Sequence, residues 1–282
     1  MTQHRHQGPI ASVVIPAHDE ENVIERCLRS LLDGTESGEL DVVVVANGCK
    51  DRTAERARSF GPSVRVVELA QPSKVVALNE GDRAVTAFPR AYLDADIELS
   101  AASLRAAIVP LERGEAMCSA PLMRIDLSGS PWFVRAFYKE FAELPYLADD
   151  LVGNGVYVLS AEGRERFDDF PELTADDLFV RNLFAPGERR TANGGEFVVH
   201  APRTLSGLLA MRRRVYRGNA EYERLGYVSQ AESTRSPSRL FRGLLHRPIA
   251  TTVFVVVNLV AMLQLRWSGP VTTWERDDSA RA

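Results

Sequence analysis

The chain has 282 residues, of which 45% are hydrophobic and 26% are charged, and its formal net charge at pH 7 is −4. This is an ordinary globular composition, and the length predicts one large α/β domain or two smaller ones. The negative net charge gives no support for a nucleic-acid partner, because proteins bind such polyanions through basic surfaces. The three cysteines are odd in number and lack metal-ligand spacing, so free thiols in a reducing, cytoplasmic compartment are expected. The polar first residues contain no apolar segment of the kind found in secretory signals.

Strands and helices are predicted to alternate over the first hundred residues. Apolar runs at 11–15, 41–46, 64–68 and 90–94 are typical of buried strands, and the segments between them have helical spacing. This alternation predicts an α/β fold with a mostly parallel sheet flanked by helices. The carboxyl ends of the first, second and fourth strands then lie at one edge of the sheet. That edge would carry residues 16–20, Asn47, Asp94 and Asp96.

Asp94 and Asp96 follow the fourth predicted strand, where ligand crevices form in such sheets. Two carboxylates in that position need a counter-charge, and a hard cation such as Mg²⁺ with a phosphorylated ligand would supply it. Lys74 begins the preceding helix, where it is expected either to meet a phosphate or to form a surface ion pair. The acidic residues at 19–21 either face a ligand or simply cap a helix.

The second half of the chain contains another acidic pair, Asp176 and Asp177. Thr174 can begin a helix there, in which case the acids serve as caps; alternatively, one of them is the general base for a bound alcohol. His200 ends a predicted strand at 197–200 and is a core histidine, a hydrogen-bonding group or a third metal ligand. Other predicted elements in this half are helices at 101–113 and 132–146 and strands at 116–121 and 156–159.

Near the carboxyl end, a polar stretch resembling a linker precedes an apolar segment at 248–265. Its roughly 18 residues are the lower limit for a bilayer span, and Asn258 and Gln264 weaken that interpretation. Flanking arginines and Trp267 suit a membrane interface. This segment is interpreted as a membrane-associated or re-entrant helix, as a marginal span, or as a buried helix of a homodimer. Membrane association is the favoured interpretation.

These motifs, in this order, resemble those of the family-two glycosyltransferases, nucleotide-diphospho-sugar transferases with the GT-A fold. The resemblance covers about residues 10–220 and rests on six stretches: residues 13–21, residues 42–53, Lys74 with the Ala-Leu-Asn at 77–79, Asp94-Ala-Asp96, residues 174–177, and the arginine-rich residues 212–218.

The resemblance implies that Mg²⁺ or Mn²⁺ is held against the donor diphosphate, chiefly by Asp96, with Asp94 on the ribose or the metal. His200, considered above from its place at a strand end, is a candidate third ligand independently of the resemblance. It implies a general base at Asp177, with Asp176 as the second choice. The remaining donor-binding residues that it implies are Pro16, Ala17, Glu20, Asn47, Lys74 and Arg214.

The implied activity is inverting transfer of a hexose from a nucleotide-diphospho-sugar to an acceptor hydroxyl, with cell-envelope glycan or glycolipid synthesis as the setting and a lipid-linked acceptor left open. The expected location is cytoplasmic, at the inner face of the cell membrane. Two departures stand out: Asn47 replaces an acid, and Met211 and Val215 replace the Gln and Trp of a motif of which only Arg214 is kept. The second departure argues against a processive polysaccharide synthase.

The expected organisation is a disordered lead at 1–9, a GT-A domain at 10–228, a linker at 229–238, an apolar helix at 239–268 and a disordered tail at 269–282. Within the GT-A domain, residues 10–100 form the nucleotide-binding half and 101–228 the acceptor half. Two other functions are kept: a non-catalytic binding or scaffold protein of the same fold, and a phosphatase of the haloacid-dehalogenase type. The phosphatase is disfavoured because its Asp-x-Asp motif follows the first strand, not the fourth.

Overall fold

The computed structural model describes residues 8–144, 155–227 and 237–267, without the side chains of 237–241. The described residues form two compact units. The first unit consists of residues 8–124, 155–172 and 176–199, and the second of residues 125–144, 173–175, 200–227 and 237–267. Most of the expected lead and linker, and all of the expected tail at 269–282, lie outside the described residues.

An eight-stranded sheet with the order β3-β2-β1-β4-β7-β6-β8-β5 organises the fold. Its strands are β1 Ala11–Ala17, β2 Leu40–Asn47, β3 Val64–Leu69, β4 Arg90–Leu93, β5 Glu98–Leu99, β6 Cys118–Asp126, β7 Val156–Leu159 and β8 Arg189–His200. The pairs β1–β2, β2–β3 and β1–β4 are parallel, whereas β7 is antiparallel to β4 and β6, and β5 is antiparallel to β8. The carboxyl ends of β1, β2 and β4 therefore share one edge, as the sequence predicts.

Ten α-helices accompany the sheet in the described part of the chain. They are α1 Ile24–Leu32, α2 Thr53–Arg58, α3 Lys74–Ala84, α4 Ala101–Glu112, α5 Trp132–Phe141, α6 Ala161–Arg164, α7 Asp176–Asn182, α8 Leu205–Arg224, α9 Pro237–His246 and α10 Pro248–Trp267. The start of α3 matters for the site: the hydroxyl of Ser73 accepts a hydrogen bond from the N–H of Val76 (3.2 Å) and caps the helix immediately before Lys74.

The core of the first unit forms around β1, which is buried on both faces as expected for a central parallel strand. The apolar side of α1 covers one face with Ile24 and Leu28. On α3, a Cβ at Gly81 would lie 2.4 Å from a methyl of Val14, so only glycine lets this helix approach β1 so closely. This contact places the amino end of α3 beside the strand ends that carry the acids.

The second unit has its own core, formed by α5, α8 and α10. Phe137 of α5 stacks on Phe254 of α10 with ring centroids 5.1 Å apart, and Leu208 of α8 joins the same cluster. Most of the aromatic side chains of α5 therefore pack in the core of this unit, which is the more frequent role of aromatic residues at helical spacing.

Several element boundaries differ from the sequence-based expectations. Helix α5 ends at Phe141, β6 continues to Asp126, and β8 begins at Arg189 rather than near 197. The segment expected as one helix at 239–268 is divided between α9 and α10. Pro248 explains the division, because proline disfavours helical backbone in the residue before it and is well tolerated as the first residue of a new helix.

Candidate functional site

Asp94 stands at the carboxyl end of β4, the central position of the predicted site. Its backbone N–H donates to the carbonyl of Gly155 (2.8 Å), which leads into the neighbouring strand β7. Gly155 has φ +96°, and a Cβ there would lie 3.2 Å from Asp94 Oδ2. Glycine therefore satisfies an unusual backbone conformation and also leaves space beside the carboxylate.

Lys74 links the two acidic motifs that the sequence analysis identified separately. Its Nζ lies 2.7 Å from Asp94 Oδ1 and 2.8 Å from Asp176 Oδ1. The exposed fractions of the Lys74, Asp94 and Asp176 side chains are 11%, 29% and 6%. A largely buried cation thus neutralises two carboxylates from distant parts of the chain, and the surface ion pair considered from the sequence is not the arrangement found.

Tyr157 is a member of this cluster that the sequence analysis did not identify. Its hydroxyl donates to Asp176 Oδ2 (3.2 Å), and its ring stacks on Tyr92 with centroids 4.9 Å apart. Burial, and next the charge of Asp176, raise the pKa of Tyr157 well above its ordinary value, which keeps the hydroxyl protonated as a donor. The available signal was the position of Tyr157 in a short apolar strand directly after Gly155.

The two acids of the second pair have different surroundings. Both lie in the first turn of α7, where the helix dipole favours negative charge. Asp176 is buried against Lys74 and Tyr157, whereas Asp177 is only half-buried. The start of α7 at Asp176, two residues after Thr174, determines which acid points into the cluster.

Asn47, at the end of β2, is 1% exposed, and the protein itself uses both of its amide atoms. Its Nδ2 donates to the carbonyl of Ala17 (2.8 Å), and its Oδ1 accepts from the N–H of Ser73 (3.1 Å). The side chain thereby ties the ends of β1 and β2 to the start of α3. An aspartate here would place a carboxylate oxygen against the Ala17 carbonyl, which gives a structural reason for the amide.

The loop after β1 is held against the loop after β2. The N–H of Glu20 donates to Thr53 Oγ1 (2.7 Å), and the N–H of Glu21 donates to Asp51 Oδ2 (3.0 Å). Pro16 and Ala17 are buried within β1, and Glu20 is buried as well. These bonds make the loops after β1 and β2 one hydrogen-bonded rim.

His18, Asp19 and Cys49 form a further group on this rim, with their potential ligand atoms all within 4.8 Å of one another. The ring Nδ1 of His18 donates to the carbonyl of Asn47 (2.6 Å). Burial raises the pKa of the Cys49 thiol, which favours its protonated form. Cys27, Cys49 and Cys118 are free thiols, in agreement with the expectation from the sequence.

The carboxylates of Asp94 and Asp96 fit a hard divalent cation. Both are half-buried at the sheet edge and offer oxygen ligands, the type that Mg²⁺ and Mn²⁺ prefer. The pKa of the buried Cys27 thiol, which lies near these carboxylates, is raised. Burial is the main cause, and the negative charge of Asp96 is the second.

Most of the predicted site residues come together at this edge of the first unit. These are Pro16, Ala17, Glu20, Asn47, Lys74, Asp94, Asp96, Asp176 and Asp177. His200 and Arg214 belong to the second unit. There, His200 Nδ1 lies 3.2 Å from Asp126 Oδ2, and Arg214 is half-buried on α8.

Comparison with curated proteins identifies relatives over the first part of the chain. The uncharacterized glycosyltransferase EpsJ of Bacillus subtilis is 30% identical over 97 residues, which is 33% of this chain and 28% of that protein. The glycosyltransferase AglE of Haloferax volcanii is 32% identical over 93 residues, which is 31% of each chain. The matches thus span less than a third of either relative.

Solved structures share the fold over more of the chain. A mannosyltransferase from Pyrobaculum calidifontis, in complex with GDP-Man and Mn²⁺, superposes with a TM-score of 0.62 at 20% identity, covering 94% of this chain and 77% of that one. The glucosyl-3-phosphoglycerate synthase of Mycobacterium tuberculosis, in complex with Mn²⁺, UDP-Glc and phosphoglyceric acid, gives 0.56 at 23% identity, covering 81% and 88%. These likenesses show that the GT-A fold, an α/β sheet flanked by helices, is the fold of this chain.

Residues 12–158, just over half of the chain, match the sequence profile of Glycosyl transferase family 2. The match runs from β1 to β7 and includes the rim loops, Lys74 and the pair Asp94 and Asp96. The chain therefore belongs to glycosyl transferase family 2, a family of enzymes that transfer sugars.

Proposed function

We propose that the protein transfers a sugar from a nucleotide-diphospho-sugar to an acceptor hydroxyl, with inversion at the anomeric carbon. The observation that carries the proposal is the bridge from Lys74 to Asp94 and Asp176, because it joins the acids that follow β4 to the acids that begin α7 in one cluster. The solved relatives support the substrate class, since two of them hold GDP-Man or UDP-Glc together with Mn²⁺.

Asp96 and Asp94 would hold Mg²⁺ or Mn²⁺ against the donor diphosphate. When bound, the cation supplies charge neutralisation for the departing diphosphate. Lys74 holds the carboxylates of Asp94 and Asp176 in place through its two ion pairs, and adds a fixed positive charge beside the diphosphate. Such charges, set before the reaction, need no reorganisation as negative charge develops.

Asp177 is the proposed general base. Asp176 is already engaged by Lys74 and Tyr157 and is almost fully buried, whereas Asp177 is half-buried on the same turn of α7. Asp177 takes the proton of the acceptor hydroxyl while the hydroxyl oxygen forms a bond to the anomeric carbon. The bond from that carbon to the diphosphate breaks, and its electron pair leaves with the diphosphate, so the configuration is inverted. General-base assistance of this kind contributes about 10²–10⁴ in rate.

The end of β1, with Pro16 and Ala17, and the loop after it, with Glu20, would contact the nucleoside. Asn47 supports this contact indirectly, because its amide is used to order the rim. Arg214 as a diphosphate contact and His200 as a third metal ligand stay predictions that alanine variants can test.

A cytoplasmic enzyme at the inner face of the membrane, acting on a lipid-linked acceptor in envelope glycan or glycolipid synthesis, is the setting we propose. The supporting observation is α10, a 20-residue helix that contains an 18-residue window with a mean hydropathy of 2.0 and is, by length and composition, sufficient to cross a membrane. An enzyme held at the membrane surface would have direct access to a lipid acceptor that carries a hydroxyl group.

A thermal-shift screen of UDP-, GDP- and dTDP-sugars, each with and without Mn²⁺, tests the proposed function. Ligand binding to the folded state raises the unfolding free energy, by about 2.7 kcal/mol at a ligand concentration of 100 Kd. We expect stabilisation by sugars of one nucleobase class and only with the cation. Failure of every nucleotide sugar to stabilise the protein with Mn²⁺ would contradict the proposal and favour the non-catalytic alternative.

A further inference from the structure

Helix α10 has one face packed within the second unit and one face exposed. The packed face carries Ala250, Thr251, Phe254, Val257 and Ala261, all buried against α5 and α8. Phe254 stacks on Phe137 of α5, so this face belongs to the core of the unit. Only the other face of α10 is available to a partner.

Two polar side chains of α10, Asn258 and Gln264, are turned toward the protein. Asn258 Oδ1 accepts from Arg212 Nε (2.9 Å) and from the hydroxyl of Tyr216 (2.8 Å), and Gln264 Oε1 accepts from Arg213 Nη1 (2.7 Å). Asn258 and Gln264, which weaken a bilayer span when read from the sequence alone, are thus satisfied by α8.

A third polar link fixes the beginning of α10. The hydroxyl of Thr251 donates to Glu140 Oε2 (3.1 Å), and the carboxylate of Glu140, on α5, is fully buried. Arg247 directly precedes α10, and its Nη1 lies 2.5 Å from Oε1 of Glu143, two residues after the end of α5. Polar contacts therefore hold α10 against α5 near its beginning, and against α8 at its middle and near its end.

The exposed face carries a stripe of apolar side chains, which we call the α10 stripe, and the exposed Thr252 lies among them. Its members are Ile249, Val255, Val256, Leu259, Leu263 and Trp267. They recur at intervals of three, four and seven residues, as one side of a helix requires. Two further exposed leucines, Leu244 and Leu245, stand just before it on α9. Between Pro248 and Leu265 the helix has no charged residue, whereas Arg242 and Arg266 flank this apolar region.

A transmembrane orientation of α10 conflicts with its packing on α8. Arg212 and Arg213 of α8 donate hydrogen bonds to Asn258 and Gln264. If α10 crossed the bilayer, these two arginines would enter the hydrocarbon region with it. Charged side chains there are costly and rare. A helix lying in the interface instead buries one apolar face about 5–10 Å deep and leaves its other face on the protein.

We propose that the α10 stripe docks on the surface of an anionic bilayer, with α10 lying in the membrane plane and not crossing it. This deepens the proposed membrane setting and rests on it. Three features select lipid as the occupant: the apolar side chains of the stripe extend over five turns, arginines flank its ends, and Trp267 at its end is 85% exposed. Tryptophan and arginine at the border of an apolar face suit the headgroup region, and basic side chains are attracted to anionic lipids.

Co-sedimentation of the full chain with preformed vesicles gives the first test. We expect binding to vesicles of equal parts phosphatidylcholine and phosphatidylglycerol, and weaker binding to phosphatidylcholine alone. Leu259→Glu should weaken binding about tenfold, and the double variant with Leu263→Glu about a hundredfold. Leu122→Glu is the matched control, because Leu122 is 55% exposed and Leu259 is 54% exposed, but Leu122 lies on β6. Equal binding of Leu259→Glu and Leu122→Glu would overturn the proposal.

Orientation is tested by single added cysteines that flank the stripe in sequence and are not members of it, His246→Cys and Ser268→Cys, so that the proposed docking does not itself shield the thiols. For protein added to the outside of vesicles, a membrane-impermeant maleimide should label both positions above the background given by the parent chain. Labelling of one end with protection of the other until the vesicles are dissolved would show a span and refute the in-plane arrangement.

A final comparison separates this inference from the proposed function. Leu259→Glu should keep the nucleotide-sugar stabilisation of the parent in solution, because the stripe is remote in sequence from the donor residues; loss of vesicle binding alone then supports the inference. A parent dimer that Leu259→Glu dissociates, with no vesicle binding by either protein, would assign the stripe to a second copy of the chain and overturn the proposal. Absence of nucleotide-sugar binding with intact vesicle binding would contradict only the proposed function.

Discussion

Replacement of Lys74 by methionine removes the charge at the centre of the site while keeping most of the aliphatic chain. Lys74 lies within 2.8 Å of carboxylate oxygens on both Asp94 and Asp176, and its own side chain is 11% exposed. In Lys74→Met, Asp176 becomes a buried carboxylate without its cation. Loss of one partner of a buried ion pair costs about 3–5 kcal/mol. Because Asp94 retains contact with water, we expect the lower end, about 3 kcal/mol, in the free energy of unfolding.

Urea unfolding at pH 7 measures this cost, with Lys139→Met as the matched control. Lys139 is exposed on α5, so its substitution should change the unfolding free energy by less than about 0.5 kcal/mol. The double variant Lys74→Met/Asp176→Asn should recover about 1 kcal/mol or more relative to Lys74→Met, because the uncompensated charge is removed. If Lys74→Met is as stable as Lys139→Met, or the double variant is no more stable than Lys74→Met, the description of Lys74 as a buried bridge is refuted.

Two further predictions concern the other acids of the first unit. Asp177→Asn should lower sugar transfer by about 10²–10⁴ and leave donor-induced thermal stabilisation near that of the parent; undiminished turnover would exclude Asp177 as the base. Asp82 accepts hydrogen bonds from Tyr92, Arg164 and Arg90, and although burial by itself raises the pKa of Asp82, these bonds bring it below its ordinary value. Because the folded pKa lies below the unfolded one, the carboxylate stabilises the fold at neutral pH, and this contribution is lost as the pH falls through the folded pKa. Asp82→Asn should therefore unfold more easily than the parent at pH 7 in urea, with the difference narrowing below about pH 4; a constant difference across that range would contradict the assignment.

The sheet edge was predictable from the sequence because its signals are local. Each buried strand is a short apolar run, and helices between the first four runs imply parallel strands, so the residues after β1, β2 and β4 must lie at one edge. Asn47, Asp94 and Asp96 could be assigned to that edge for this reason.

The interior of the site depends on contacts between distant segments, which leave little local signal. Nothing near Lys74 or Asp176 in the sequence indicates that the two side chains meet. The distinction between Asp176 and Asp177 depends on where α7 begins, and a shift of one residue turns a side chain by about 100° around a helix. Tyr157 joins the cluster only because β7 pairs with β4 in an antiparallel register that aligns it with Tyr92.

The carboxyl-terminal helix shows how packing changes the interpretation of a composition. Asn258 and Gln264 count against a span when hydropathy alone is considered. In the structure both are bonded to α8, and the exposed side of α10 is more apolar than the segment average suggests. The same contacts bring Arg212 and Arg213 beside the helix, which argues against a span for a different reason.

Binding of Mn²⁺ in the presence of the nucleoside diphosphate selected by the thermal-shift screen tests the central claim most directly. The electron paramagnetic resonance signal of free Mn²⁺ reports how much cation the protein and nucleotide remove from solution. We predict diphosphate-dependent binding of about one Mn²⁺ per chain, as expected for a cation held by carboxylates together with substrate phosphates. Asp96→Asn should lose this binding, and the exposed control Asp33→Asn should keep it. Equal Mn²⁺ binding by Asp96→Asn and the parent would contradict the assignment of this sheet edge as the cation-dependent donor site.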